Sequence, residues 1–326
     1  MNAAICRWAC SIGLLLPTLA LAQLAGRDTA LGLPHPRDPQ RPGAVVLHGG
    51  GRVTDDVFNY FVARAGGAKA RIVFVPCAGY RPTDYTTEAN YLSVLSTRYS
   101  AWANLKRNGH VADFRFLYTD DPTDANDAQF VQSLEQATGV WFSGGLQSRL
   151  NYRFVEFPEA TRFQVALRGV LERGGVIGGT SAGMAAMPEI MTLYQSQDEA
   201  SAPMQAVTAH GLGLFNRAVV EQHFDAWNGR LERFTGLLRD NTKLNRLAGR
   251  INAGEKMMGI GVEERTALVV NGPRLSVLGD SCVHLFLKTN NGKTVTWHEL
   301  SPGDSGELRM GSQGPSFTSE ELVLSR

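Results

Sequence analysis

At residues 176–186 a short apolar run enters Gly179-Thr180-Ser181-Ala182-Gly183 and continues into the small residues Met184, Ala185 and Ala186. A G-x-S-x-G segment with a buried strand ahead of it and a helix start behind it is the pattern of a sharp strand-to-helix turn. Its physics is steric. The turn forces the serine into a strained backbone conformation, and glycines two residues to either side let the flanking backbones pass. The serine hydroxyl is then lifted above the edge of a sheet, beside the Ala182 N–H, which can face a developing oxyanion. A Gly-rich turn with a buried serine is the alternative.

The rest of the chain reads as the scaffold such a turn requires. Apolar runs at residues 44–47, 71–75, 114–118, 140–142 and 176–178 alternate with helical patterns at 127–137 and 163–171, and with a helix following Thr54, where Asp55 and Asp56 occupy the first turn and Val57 and Phe61 share a face. Strand–helix alternation with runs apolar on both faces predicts a three-layer α/β sandwich with a mainly parallel central sheet. After Met257 the runs crowd together, at residues 258–262, 266–270, 274–278, 283–287 and 294–299, with Asn291-Gly292 as a hairpin signal. That spacing predicts an antiparallel C-terminal extension.

The N-terminus carries a different signal. Arg7 precedes the apolar residues 12–22, which end in Ala20-Leu21-Ala22. This is the layout of a signal peptide cleaved after Ala22, too short and too Pro-broken for a comfortable membrane span. The expected product is secreted or periplasmic. Its residues 23–42, rich in Pro, Gly and Arg, form an extended arm, and residues 43–326 form a single domain. Removing residues 1–22 takes away one basic residue and no acid from a chain of net charge +1, leaving a neutral protein. Neither nucleic acid nor, after signal removal, a membrane is an expected partner. Cys77 and Cys282 then remain, as a disulfide or as two separate buried thiols. No zinc-ligand spacing and no H-E-x-x-H occurs, so neither a metal nor another cofactor is expected.

A nucleophilic serine needs a base. Among the seven histidines, His223 ends a probable strand at residues 217–222, and strand termini are where the reactive residues of open α/β sheets gather. A surface histidine is the alternative. His48-Gly49-Gly50-Gly51, read with the serine turn, also copies the oxyanion and elbow motifs of some α/β-hydrolase esterases, in which His284 or His298 would have to act. A non-catalytic binding protein on the same scaffold is a third reading, against which an intact Ser181 and His223 weigh.

Residues 140–150 (VWFSGGLQSRL), 174–183 (GGVIGGTSAG), 211–224 (GLGLFNRAVVEQHF) and 259–270 (GIGVEERTALVV), in that order, resemble the cyanophycinase and aspartyl dipeptidase family of serine peptidases, cyanophycinase most of all. The resemblance spans roughly residues 44–290. It implies a fold similar to class I glutamine amidotransferases and a serine-type exopeptidase that needs no cofactor. It would make Ser181 the nucleophile, His223 the base and Glu264 the acid, with Glu199 as a second candidate for the acid. Gly145 and Ala182 would be oxyanion donors, and Gln147, Glu221, Gln222, Arg230 and Arg233 a substrate wall. The implied substrate is a peptide or polyaspartate-type polymer, cyanophycin yielding β-aspartyl-arginine, and self-association as a homodimer is compatible with it. The chain departs from the family pattern at Leu146 and Glu221, each where the family has Asp, at Trp227 and Asn228, and in about a dozen residues near 247–256 that look inserted. These departures bear on substrate rather than on hydrolysis.

Overall fold

In the computed structural model, residues 30–79, 88–193, 206–225, 229–312 and 314–320 are described. The first strand, β1 (Ala44–His48), is fully buried, and its side chains alternate between two apolar layers. Val45 and Leu47 point into one layer, Ala44 and Val46 into the other. Period-two alternation in a strand buried on both faces demands cover on both sides, and helices supply it. After β1 come α1 (Asp55–Arg64), β2 (Arg71–Val75), α2 (Glu88–Arg98), α3 (Ser100–Asn108), β3 (Asp113–Phe116), α4 (Ala128–Gln136), β4 (Gly139–Phe142), α5 (Gln147–Phe154), α6 (Arg162–Glu172), β5 (Val176–Thr180) and the single turn α7 (Ala182–Ala185). Phe61 of α1 and Trp102 of α3 pack edge to face, 5.3 Å apart, beneath Trp141 of β4. Leu134, Phe154 and Leu167 of α4, α5 and α6 close the opposite layer. The helix after Thr54 begins at Asp55 as expected, but the Thr54 side chain makes no capping bond. The helix expected at 127–137 is capped by Asp127, whose carboxylate accepts the Gln129 N–H.

The second half comprises β6 (Ile190–Leu193), β7 (Val207–His210), β8 (Ala218–Glu221), α8 (Arg230–Arg239), α9 (Asn241–Ala248), β9 (Met258–Val262), β10 (Thr266–Asn271), β11 (Arg274–Gly279), β12 (Val283–Thr289), β13 (Thr294–Leu300), β14 (Ser305–Gly311) and β15 (Gly314–Ser319). Nine strands form the main sheet in the order β15-β14-β11-β10-β1-β5-β4-β2-β3. Strands β1, β5, β4, β2 and β3 are parallel, and β10, β11, β14 and β15 extend the sheet antiparallel. Both parts of the expected architecture are therefore present. What differs is that the C-terminal strands divide. β13, β12, β9 and β8 make a separate four-stranded sheet, with β8 and β9 parallel. The chain crosses from this sheet to the main one at residues 263–265, between β9 and β10. Asn291-Gly292 does turn the β12–β13 hairpin, with Asn290, Asn291 and Gly292 all at positive φ.

One local expectation is modified. Residues 30–33 of the arm are seated in the apolar core, not merely extended: Ala30, Leu31 and Leu33 are buried, and the Leu31 carbonyl accepts the N–H groups of Asn216 and Arg217. Three small apolar side chains suffice to anchor a segment with no periodicity. Cys77 and Cys282 are unbridged. The Cys77 thiol, deep in the core, bonds the Leu117 carbonyl, and burial pushes it up to about 12. The apparent insertion near residues 247–256 is the end of α9 and a tight turn. It is pinned to the smaller sheet by the buried Lys288, whose ammonium donates to Asn241 Oδ1 at 2.8 Å and the Gly254 carbonyl at 2.6 Å.

Candidate active site

Ser181 follows β5 at φ 53°, ψ −118°, a conformation that L-residues avoid unless the surroundings impose it. The surroundings do so here. A Cβ on Gly179 would stand 2.7 Å from the Gly183 carbonyl carbon, so the strand and the following turn can meet only as glycines. The Ser181 N–H donates to the His48 carbonyl at 2.9 Å. The helix behind the serine is only one turn long.

His223 lies just past β8, also at positive φ. Its Nε2 is 2.7 Å from Ser181 Oγ, and its Nδ1 is 2.6 Å from Glu264 Oε1. Neutral imidazole with the proton on Nδ1 satisfies both contacts: Nδ1–H donates to the carboxylate, and Nε2 accepts from the serine hydroxyl. Glu264 stands in the turn that crosses between the sheets. Its N–H is held by Asp225 Oδ1 at 3.0 Å, and the next N–H, of Arg265, by the Gly50 carbonyl at 2.8 Å. The serine thus comes from the main sheet, the histidine from the smaller one, and the glutamate from the corner joining them. Of the two acids weighed from sequence, Glu264 is the one in contact; Glu199 lies outside the described residues.

Gly144 and Gly145 follow β4 beside the serine. A Cβ on Gly144 would lie 3.4 Å from Ser181 Cβ, and one on Gly145, at φ +143°, would stand 2.2 Å from the Ala78 carbonyl oxygen. The Gly144 N–H donates to Tyr99 Oη at 3.2 Å, fixing this strand end. Neither the Gly145 N–H nor the Ala182 N–H has a protein acceptor among the described residues.

The five residues of the expected wall are all buried, and four are tied together. Arg230 Nη1 donates to Glu221 Oε1 and, at 2.8 Å, to the Gln222 carbonyl. Thr192 Oγ1 donates to Glu221 Oε2 at 3.4 Å, and Gln147 Nε2 to the Thr192 carbonyl at 3.2 Å. Arg233 sits one turn further along α8. Glu221, fully buried, is committed to Arg230. Leu146 precedes α5 and is 46% exposed. Trp227 and Asn228 lie outside the described residues.

The histidines of the esterase reading have other partners. His284 Nε2 bonds Glu263 at 2.8 Å and its Nδ1 accepts from Trp297 Nε1 at 3.1 Å; His298 faces Phe317. The Gly-Gly-Gly that suggested an oxyanion loop lies under the base, where a Cβ on Gly50 would stand 2.1 Å from His223 Cε1.

The sequence model of peptidase family S51 matches residues 45–278. The chain belongs to this family. Curated relatives include a cyanophycinase of Synechococcus elongatus, 28% identical over 228 residues that cover 70% of this chain and 62% of that protein. A cyanophycinase of Geminocystis herdmanii is 26% identical over 254 residues, covering 76% and 82% respectively. The match thus spans less than two thirds of the Synechococcus protein's length. Among solved structures, a peptidase from an acI-B1 Actinobacterium aligns over 82% of this chain and 97% of its own with a TM-score of 0.54 and 20% identity, a likeness of fold.

Sequence reasoning missed Asp225 and read His48 only as the first residue of an oxyanion-loop motif. His48 Nδ1 lies 2.7 Å from Thr180 Oγ1, both side chains buried. Burial is the main reason its conjugate acid is held down at about 3. Its place at the end of the first apolar run was visible in the sequence; its partner, Thr180, was not.

Proposed function

We propose that the protein is a serine-type exopeptidase that hydrolyses amide or isopeptide bonds at aspartyl units, with cyanophycin, cut to β-aspartyl-arginine, as the first substrate to test. The observation that carries the reading is the unbroken relay from Ser181 Oγ through the His223 ring to Glu264. His223 Nε2 takes the hydroxyl proton as Ser181 attacks the aspartyl carbonyl, and Glu264 stabilises the imidazolium that forms. The tetrahedral oxygen accepts from the Gly145 and Ala182 N–H groups; donors so placed are each worth on the order of 10²–10³ in rate. His223 then returns the proton to the departing amine, and water, deprotonated by the same ring, releases the acyl group.

The buried Gln147, Glu221, Gln222, Arg230 and Arg233 form one wall of the substrate cleft in this reading. The apolar Leu146 and the commitment of Glu221 to Arg230 favour testing related aspartyl and isopeptide substrates beside cyanophycin. Residues 1–22 act as an export signal, so the mature protein works outside the cytoplasm; N-terminal sequencing of the exported protein should begin at Gln23.

The deciding experiment measures dipeptide release from insoluble cyanophycin by the wild type and by Ser181→Ala. Release by the wild type alone supports both substrate and nucleophile. Release by both proteins refutes Ser181. Release by neither, with fluorophosphonate still labelling the wild type, retains the serine hydrolase and moves the substrate elsewhere among aspartyl amides.

A further inference from the structure

His48 at the end of β1 and the two glycines after it hold more of the site than the relay itself shows. Three consecutive carbonyls there accept three backbone N–H groups from distant parts of the chain. His48 O accepts from Ser181, Gly49 O from His223, and Gly50 O from Arg265, at 2.9, 2.9 and 2.8 Å. The nucleophile, the base and the turn bearing the acid are therefore hung on one tripeptide. Neither glycine can brace that tripeptide through a side chain. His48 can, and does. Strands β1 and β5 run parallel with His48 beside Thr180, so the two side chains emerge on the same face, where the ring meets the Thr180 hydroxyl at 2.7 Å. The ring is wholly buried, so water does not compete for this bond.

We propose that His48 is a positioning residue for the reaction: by gripping Thr180 it fixes residues 48–50, and through them the mutual placement of Ser181, His223 and Glu264. This rests on the reading of those three residues as the reacting set. The ring touches neither substrate nor the reacting atoms. Its contribution is geometric, and small displacements of such groups cost rate steeply, about 100-fold for 1 Å.

The test uses the intact protein and a fluorophosphonate probe, whose rate of covalent capture (kinact) and half-saturation (KI) report Ser181 reactivity and probe binding separately. Thr180→Val deletes the hydroxyl at nearly constant shape, and His48→Leu deletes the ring nitrogen. Each should lower kinact about 10- to 100-fold while KI holds. His48→Asn, whose amide can occupy the place of Nδ1, should recover most of the loss. The double variant His48→Leu/Thr180→Val should be no slower than the slower single, because both remove one shared bond. Capture by Thr180→Val at the wild-type rate overturns the proposal, as do losses that multiply in the double variant or an Asn variant as slow as the Leu variant. Should His48→Leu fail to fold, Thr180→Val and His48→Asn decide alone. Ser181→Ala run alongside separates the two levels: capture by that protein would sink the underlying assignment of the nucleophile, whatever the His48 variants do.

Discussion

Glu264 is the residue whose chemistry is most exposed to test. Its carboxylate orients the imidazole, yet its side chain is 39% accessible, so water shares the work of stabilising the cation. Glu264→Gln puts an amide where the ring needs an acceptor and can reverse the tautomer. A buried acid lost this way costs about 10⁴ in kcat; for this accessible one kcat should fall by about 10²–10³, with KM little changed, in steady-state kinetics. His48 makes a second prediction, of stability. Its folded pKa of about 3 lies below the ordinary 6.5, so the unfolded chain binds the proton first as pH drops. Stability from this residue is complete above pH 6.5 and is lost as pH falls through 3, by about 5 kcal/mol in all. Denaturant melts of wild type and His48→Asn across that range should show a shallower fall in the variant. Ser181 was legible from its glycines and His223 from its strand end. His48 was not, because its role depends on the β1–β5 register and on a partner 132 residues away.

At the scale of elements, α5 begins without a cap. Leu146 has the extended backbone of an N-cap residue but no side-chain acceptor to offer the helix. Leu146→Asp supplies one and should raise stability by about 0.5–2 kcal/mol, read as a shift in the denaturation midpoint at constant slope. Because the same position borders the proposed cleft, a simultaneous change in substrate preference would separate its two roles. The parallel strands were legible because each is apolar on both faces, whereas β14 and β15 keep one side toward solvent and carry polar residues at alternate positions. Helices α2 and α3 escaped notice for a related reason. α3 buries only Trp102, Ala103 and Leu105, too few to set a period.

For the molecule as a whole, the strands near the C-terminus were visible individually, but their division into two sheets was not. Pairing β8 with β9 joins segments separated by two helices, and periodicity says nothing of partners that remote. The N-terminal arm shows the same limit, since burial of Leu31 and Leu33 depends on a surface built from residues near 216. Leu31→Ala and Leu33→Ala should each cost about 2–5 kcal/mol, measured by chemical denaturation.

The division into two sheets also governs timing. A chain folded only through its five parallel strands has a serine in a strained turn and nothing beside it to take the proton. The base is delivered by β8, which is held in place by β9, and the acid by the corner that follows. Partial unfolding that loosens the smaller sheet should abolish the proposed activity while the larger sheet still stands.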